Sequence, residues 1–240
     1  MKHFDLKTFN DDRELSRSVA ELWLFAVVKS FQQRLSYSVA LSGGRIARRL
    51  FCDIAEQSPS KNLSLGNVDF FWADERCVPP GDAESNFALA DQNLFQPLNL
   101  SGEKIHRLRG ELVPDLAVAE ANLEIRKTVS LNENGQPVLD LVFLGMGEDG
   151  HVASLFPGAS MEVVNCAAPF LTVIGPKPPP RRLTLSYAAI AAAKEVWVLA
   201  SGQGKEGALR ESISADGKTP LARVLQSRQN TTIFSDIKLE

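Results

Sequence analysis

Six short apolar runs, at residues 37–41, 68–73, 139–144, 170–174, 196–199 and 231–234, alternate along this chain with stretches of helical periodicity. Runs that are near-continuously apolar, rather than apolar at every second residue, fit strands buried on both faces. Strands separated by helices pair in parallel. The pattern predicts an α/β fold with a mostly parallel central sheet. Helices are expected at 11–35, 45–57, 85–95, 115–129, 186–193 and 205–213, the first entered through an Asn10/Asp11 cap. No Pro/Gly/Ser linker divides two cores and no long repeat occurs, so residues 1–240 are expected to form a single domain.

The 26 Lys+Arg and 29 Asp+Glu leave a net charge of -3 with no long run of either sign. That argues against a nucleic-acid partner or an anionic membrane surface and leaves a small anionic ligand open. Cys52, Cys77 and Cys166 are odd in number, and no C-x-x-C pair is present. Neither a disulfide framework nor a zinc site is indicated, and the expectation is buried thiols in a reducing compartment. The first ten residues have no signal-like apolar core, and no apolar run approaches the ~18 residues of a membrane span, so a cytoplasmic protein is expected.

In open parallel sheets the ligand crevice lies beyond the carboxyl ends of the strands. Three strand exits stand out. Ser42-Gly43-Gly44 lies between a strand and a helix, where glycines turn the chain and helix-terminal N–H groups can hold a phosphate; an ordinary β-α turn also favours glycine. It matches neither G-x-G-x-x-G nor the P-loop pattern. Asp74-Glu75-Arg76 follows the run that ends at Trp72-Ala73, and either a site or a charged edge would account for it. The sharpest feature is Gly145-Met146-Gly147-Glu148-Asp149-Gly150-His151, which brings a carboxylate and a histidine to a strand exit on a glycine-rich backbone. Histidine is the side chain best suited to general-base work near neutral pH, and a nearby carboxylate can fix its tautomer. His3 and His106 lack that context and are expected at the surface. Arg181-Arg182 and Lys205 are candidate anion contacts. Lys205 opens a helix, where a cation opposes the dipole unless an anion compensates, although exposed lysines are common.

In combination these motifs resemble the 6-phosphogluconolactonase family, within the larger group that includes glucosamine-6-phosphate deaminases. The pieces are Ala40-Leu41-Ser42-Gly43-Gly44, Trp72-Ala73-Asp74-Glu75-Arg76-Cys77-Val78-Pro79, Asp82 with Ser85-Asn86, and the run from Leu144 to Gly158 around Gly147-Glu148-Asp149-Gly150-His151. Arg182-Leu183-Thr184 and Gly202-Gln203-Gly204-Lys205 are similar to later family signatures. The resemblance implies a three-layer α/β/α Rossmann-like sandwich in one domain, without cofactor or metal. It implies hydrolysis of 6-phospho-D-glucono-1,5-lactone to 6-phosphogluconate in the oxidative pentose phosphate pathway. Ser42, Gly43 and Gly44 would hold the phosphate with Arg182 and Lys205, and Arg76 would lie near the sugar or phosphate. His151 would be the base, Asp149 and Asp74 its accompanying carboxylates, and Gly147 a substrate contact. The partner is then a small sugar phosphate, and a monomer is expected.

One departure is plain. The family usually continues Ser-Gly-Gly with Ser-Thr-Pro, whereas this chain has Arg45-Ile46-Ala47, which loses two hydroxyl donors and a helix-starting proline. Backbone N–H donors survive the change, and Arg45 adds a cation that could take phosphate charge. Two other functions stay open. In the deaminase or isomerase relatives the histidine is followed by a Phe-Asn-Glu-Pro-like stretch whose Glu assists ring opening; here Ala153-Ser154-Leu155-Phe156-Pro157 holds no acid. A non-catalytic sugar-phosphate-binding regulator is suggested only by Arg45-Ile46-Ala47, and the presence of Asp149 and His151 opposes it.

Overall fold

The computed structural model describes residues 4–60 and 65–239, and His3 lies outside them. In chain order the first half runs β1 (Phe4–Thr8), α1 (Asp12–Gln32), β2 (Tyr37–Leu41), α2 (Arg45–Ser60), β3 (Val68–Trp72), β4 (Asp74–Arg76), α3 (Asn86–Ala90) and α4 (Pro114–Thr128). It continues with β5 (Leu141–Gly145), α5 (Met161–Val164), β6 (Phe170–Ile174), β7 (Arg181–Leu185), α6 (Tyr187–Ala192), β8 (Glu195–Ala200), α7 (Glu206–Ser212), α8 (Pro220–Ser227) and β9 (Thr231–Ser235).

Six strands form the main sheet in the order β1-β9-β8-β5-β2-β3. Every pairing in it is parallel. All five residues of β3 and the first four of β5 are buried in succession. Both faces of the sheet are therefore covered, which is why these segments carry no polar alternation. Beneath helix α1, Trp23 meets Phe70 of β3 and Phe143 of β5 at ring separations of 6.3 and 6.2 Å. This aromatic contact locks the helix over the centre of the sheet.

The winding of the sheet reverses between β2 and β5. From β2 the chain goes outward to β3 on one side, while β5, β8 and β9 follow on the other. At such a reversal the two connections leave in opposite directions and open a crevice beyond the carboxyl ends. Here those ends deliver Ser42-Gly43-Gly44 and Met146-Gly147 side by side. Ser42 Oγ donates to the Phe143 carbonyl across the gap at 2.8 Å, tying one exit to the other.

Elsewhere the structure departs from the sequence pattern. A second sheet, antiparallel and ordered β4-β7-β6, stands beside the first. β4 is all charged and β7 opens on two arginines, so neither carries an apolar signature. β1 is an edge strand with no fully buried side chain. α8 begins at Pro220, with Thr219 Oγ1 accepting from Ala222 N at 3.0 Å, a cap-plus-proline start that its short length obscures. The expected helix at 85–95 is α3 continued by a π-helical turn over Asp91–Phe95.

His106 is not a surface residue. Its side chain is 11% exposed, with Nε2 and Nδ1 facing Asp69 and Glu124. Its ring stacks on Phe71 at 4.6 Å. The cysteines are free, as expected, but Cys52 is exposed and Cys77 and Cys166 are half-buried rather than sealed in the core.

Candidate active site

A cleft of about 190 Å³ opens at the reversal between β2 and β5. Ser42, Gly43, Gly44, Arg45, Asp74, Arg76, Gly147, His151, Arg182 and Lys205 all line it. The remaining sequence candidate, Asp149, stands behind His151 and touches it.

The glycine-rich exit of β5 is a tight turn. Gly150 N donates to the Gly147 carbonyl and Gly147 N to the His151 carbonyl, at 3.1 and 2.9 Å. This folds the chain back so that the His151 ring lies directly over the Gly147 α-carbon. A Cβ on Gly147 would come within 2.1 Å of ring atoms Cε1 and Nδ1. Phe156 packs against the ring at 4.8 Å between centroids. His151 Nδ1 and Asp149 Oδ1 are 2.5 Å apart. An ionised carboxylate can only accept, so Nδ1 carries the proton and donates it, leaving the Nε2 lone pair free. Burial disfavours the Asp149 carboxylate, but hydrogen bonds from the His151 ring and backbone outweigh that and hold its pKa below the usual value.

Four cations line the same cleft. Arg76 and Arg182 are paired across β4 and β7, like charge beside like charge. Arg182 is 8% exposed, and burial first, then Arg76, push its pKa down. Two carbonyls aim it, since Nε donates to Pro179 at 3.1 Å and Nη2 to Lys177 at 3.4 Å. Arg76 donates to the Glu84 carbonyl. Lys205 Nζ donates to the Met146 carbonyl at 2.6 Å. Burial, and then Arg45, lower its pKa as well. Arg45 sits at the rim with its side chain 66% exposed, held by Asp12 at 2.9 Å. Its Nη2 lies where a Cβ on Gly202 would approach to 2.7 Å, so that glycine makes room for it. Arg182 and Lys205, desolvated and with depressed pKa values, each crowded by a further arginine, make the cleft a candidate for receiving an anion.

Asp74 and Glu75 divide between two tasks. Asp74, 6% exposed, lines the cleft. It accepts from Ser154 Oγ at 2.6 Å and from Asn86 Nδ2 at 3.3 Å. Glu75 points away from the cleft lining and accepts from Asn86 N, Phe87 N and Ser85 Oγ, capping α3. Its burial raises its pKa more than those hydrogen bonds lower it. Asn86, Ser201, Met146 and Ala153 also line the cleft, though the sequence reading assigned them no role. Ala153 adopts φ +48, a left-handed conformation unusual for alanine, on the chain between His151 and Ser154. Such strain is visible only in three dimensions.

The profile of the glucosamine-6-phosphate isomerase/6-phosphogluconolactonase family matches residues 10–234. The chain belongs to that family. A 6-phosphogluconolactonase of Streptomyces coelicolor is 36% identical over 218 residues, covering 86% of this chain and 82% of the relative. One of Treponema pallidum is 34% identical over 194 residues, covering 79% of each. The crystal structure of a 6-phosphogluconolactonase from Thermotoga maritima superposes with a TM-score of 0.83 at 26% identity, over 97% of this chain and 99% of that one. The family sequence expected from the motifs and the three-layer fold expected from the resemblance both hold. No helix among the described residues is long and apolar enough to cross a membrane.

Proposed function

We propose that this chain hydrolyses 6-phospho-D-glucono-1,5-lactone to 6-phospho-D-gluconate in the oxidative pentose phosphate pathway. The carrying observation is that the Asp149–His151 pair and four cations open into one cleft. A lactone sugar phosphate needs both: a base where the acyl carbon is attacked and positive charge where the phosphate rests. The names of the Streptomyces and Treponema relatives support the same substrate.

In this reading Arg45, Arg182 and Lys205, with the backbone of Ser42-Gly43-Gly44, take the phosphate. His151 Nε2 accepts a proton from water as its oxygen attacks C1. The carbonyl becomes an oxyanion held by N–H groups of the Gly147 loop or by Arg76. The oxyanion collapses, the C1–O5 bond breaks, and the proton passes from His151 to O5. Asp149 holds the tautomer and stabilises the imidazolium between the two transfers. Asp74 is already hydrogen-bonded by Ser154 and Asn86, and so positions neighbouring groups rather than taking a proton. The reading carries with it a cytoplasmic monomer, whose mass sedimentation reports.

A coupled assay tests it: the lactone is generated with glucose-6-phosphate dehydrogenase, and its loss is followed with and without the protein, spontaneous opening being subtracted. Accelerated loss, with no ammonia from glucosamine 6-phosphate, is expected. Ammonia release at a comparable rate overturns the assignment, and sugar-phosphate binding with silence on both substrates favours the regulator. Lys205→Ala should weaken 6-phosphogluconate binding by roughly 1.5–3 kcal/mol, the scale of a hydrogen bond to a charged group. Unchanged affinity by calorimetric titration removes Lys205 from the phosphate site.

A further inference from the structure

The amide of Asn86 is a cleft group that neither the phosphate cations nor the Asp149–His151 pair uses. The residue is 2% exposed and occupies the first position of α3. Its Nδ2 donates to the Asp74 carbonyl at 2.9 Å and to Asp74 Oδ1 at 3.3 Å. An amide keeps its donors at one end and its acceptor at the other, so two acceptors around Nδ2 fix which way round the group sits. Oδ1 is therefore turned to Gly43, where a Cβ would come within 1.8 Å of it. No group among the described residues donates to Oδ1, and Asn86 lines the cleft.

The surroundings hold this acceptor rigidly. Asp74 Oδ2 is fixed by Ser154 Oγ at 2.6 Å, and the Asn86 backbone N–H is fixed by Glu75 at 2.8 Å. A preoriented acceptor in a nearly closed wall recognises a donor. The chemistry of a sugar phosphate lactone narrows the choice. Its phosphate and its carbonyl oxygen only accept, and its hydroxyls are its donors.

We propose that Asn86 Oδ1 accepts a hydrogen bond from one hydroxyl of the sugar and selects hydroxylated sugar phosphates over their deoxy counterparts. The inference rests on the lactonase reading for the class of ligand and adds a specificity contact to it. Gly43 is glycine, on this account, because the acceptor occupies the space of its side chain.

The test is calorimetric titration with 6-phosphogluconate and with three mono-deoxy counterparts, lacking the hydroxyl at carbon 2, 3 or 4. On the unaltered protein one deoxy ligand is expected to bind about 5- to 100-fold more weakly than the parent, the loss for an acceptor left unsatisfied. In Asn86→Ala and Asn86→Leu, each first shown to melt cooperatively, that ligand and the parent should bind within about twofold of each other, because the partner atom is gone. Equal binding of all four ligands to the unaltered protein overturns the proposal. So does a variant that keeps the original discrimination. Hydroxyl discrimination without lactone turnover would sink the lactonase reading and leave this contact standing; turnover without discrimination would do the reverse.

Discussion

His151→Asn is expected to lower kcat for lactone loss by roughly 10²–10⁴-fold, the usual contribution of a positioned general base. The amide keeps the size of the ring's inner half and can still lie over Gly147, but it offers no basic nitrogen to water. Binding should survive, because the groups proposed to take the phosphate, Arg45, Arg182, Lys205 and the β2 exit, line the cleft from other elements. The expected signature is therefore a collapsed kcat beside a nearly unchanged calorimetric affinity for 6-phosphogluconate. Loss of affinity in step with kcat would instead make His151 a ligand contact.

Gly147→Ala should cost on the order of 10²-fold in kcat without changing the chemistry of any reacting group, the scale expected when a catalytic group is displaced by about 1 Å. The added Cβ would stand 2.1 Å from His151 Cε1 and Nδ1 and 2.9 Å from Asp149 Oδ1, so the pair must move. Backbone strain is not the cause, since the glycine does not occupy the left-handed region. The melting temperature should accordingly fall little while turnover falls far. A Gly147→Ala enzyme with ordinary kcat would show that the ring is free to leave this position without consequence.

The sequence was legible where one local signal decided the structure. The apolar run at 139–144, broken only by Asp140, could be little other than a doubly covered strand, and its glycine-rich exit had to turn sharply, which brings His151 to the crevice. Ser42-Gly43-Gly44 was legible for the same reason. What stayed hidden depends on partners distant in the chain. Asp74-Glu75-Arg76 forms a strand only because β7 lies alongside, and nothing in three charged residues announces that pairing. β7 in turn opens on two arginines directly after the prolines at 176 and 178–180, yet that proline-rich loop supplies the carbonyls that aim Arg182. Asn86 was visible beside its capping neighbour Ser85, but the direction of its amide is set by Asp74, and its contact with Gly43 joins residues 43 positions apart. His106 misled because a histidine amid polar neighbours reads as solvated, whereas Phe71 and two carboxylates enclose it.

The measurement that bears most directly on the account is kcat for lactone loss as a function of pH, in the unaltered enzyme and in His151→Asn, with spontaneous hydrolysis subtracted at each pH. An imidazole that must accept a proton from water works only when neutral, so the unaltered enzyme should lose activity on the acid side. In His151→Asn the residual rate should lose that acid limb, because the proposed base is gone. An acid limb persisting unchanged in the variant, or near-normal turnover without the imidazole, would contradict the assignment of His151 as the base.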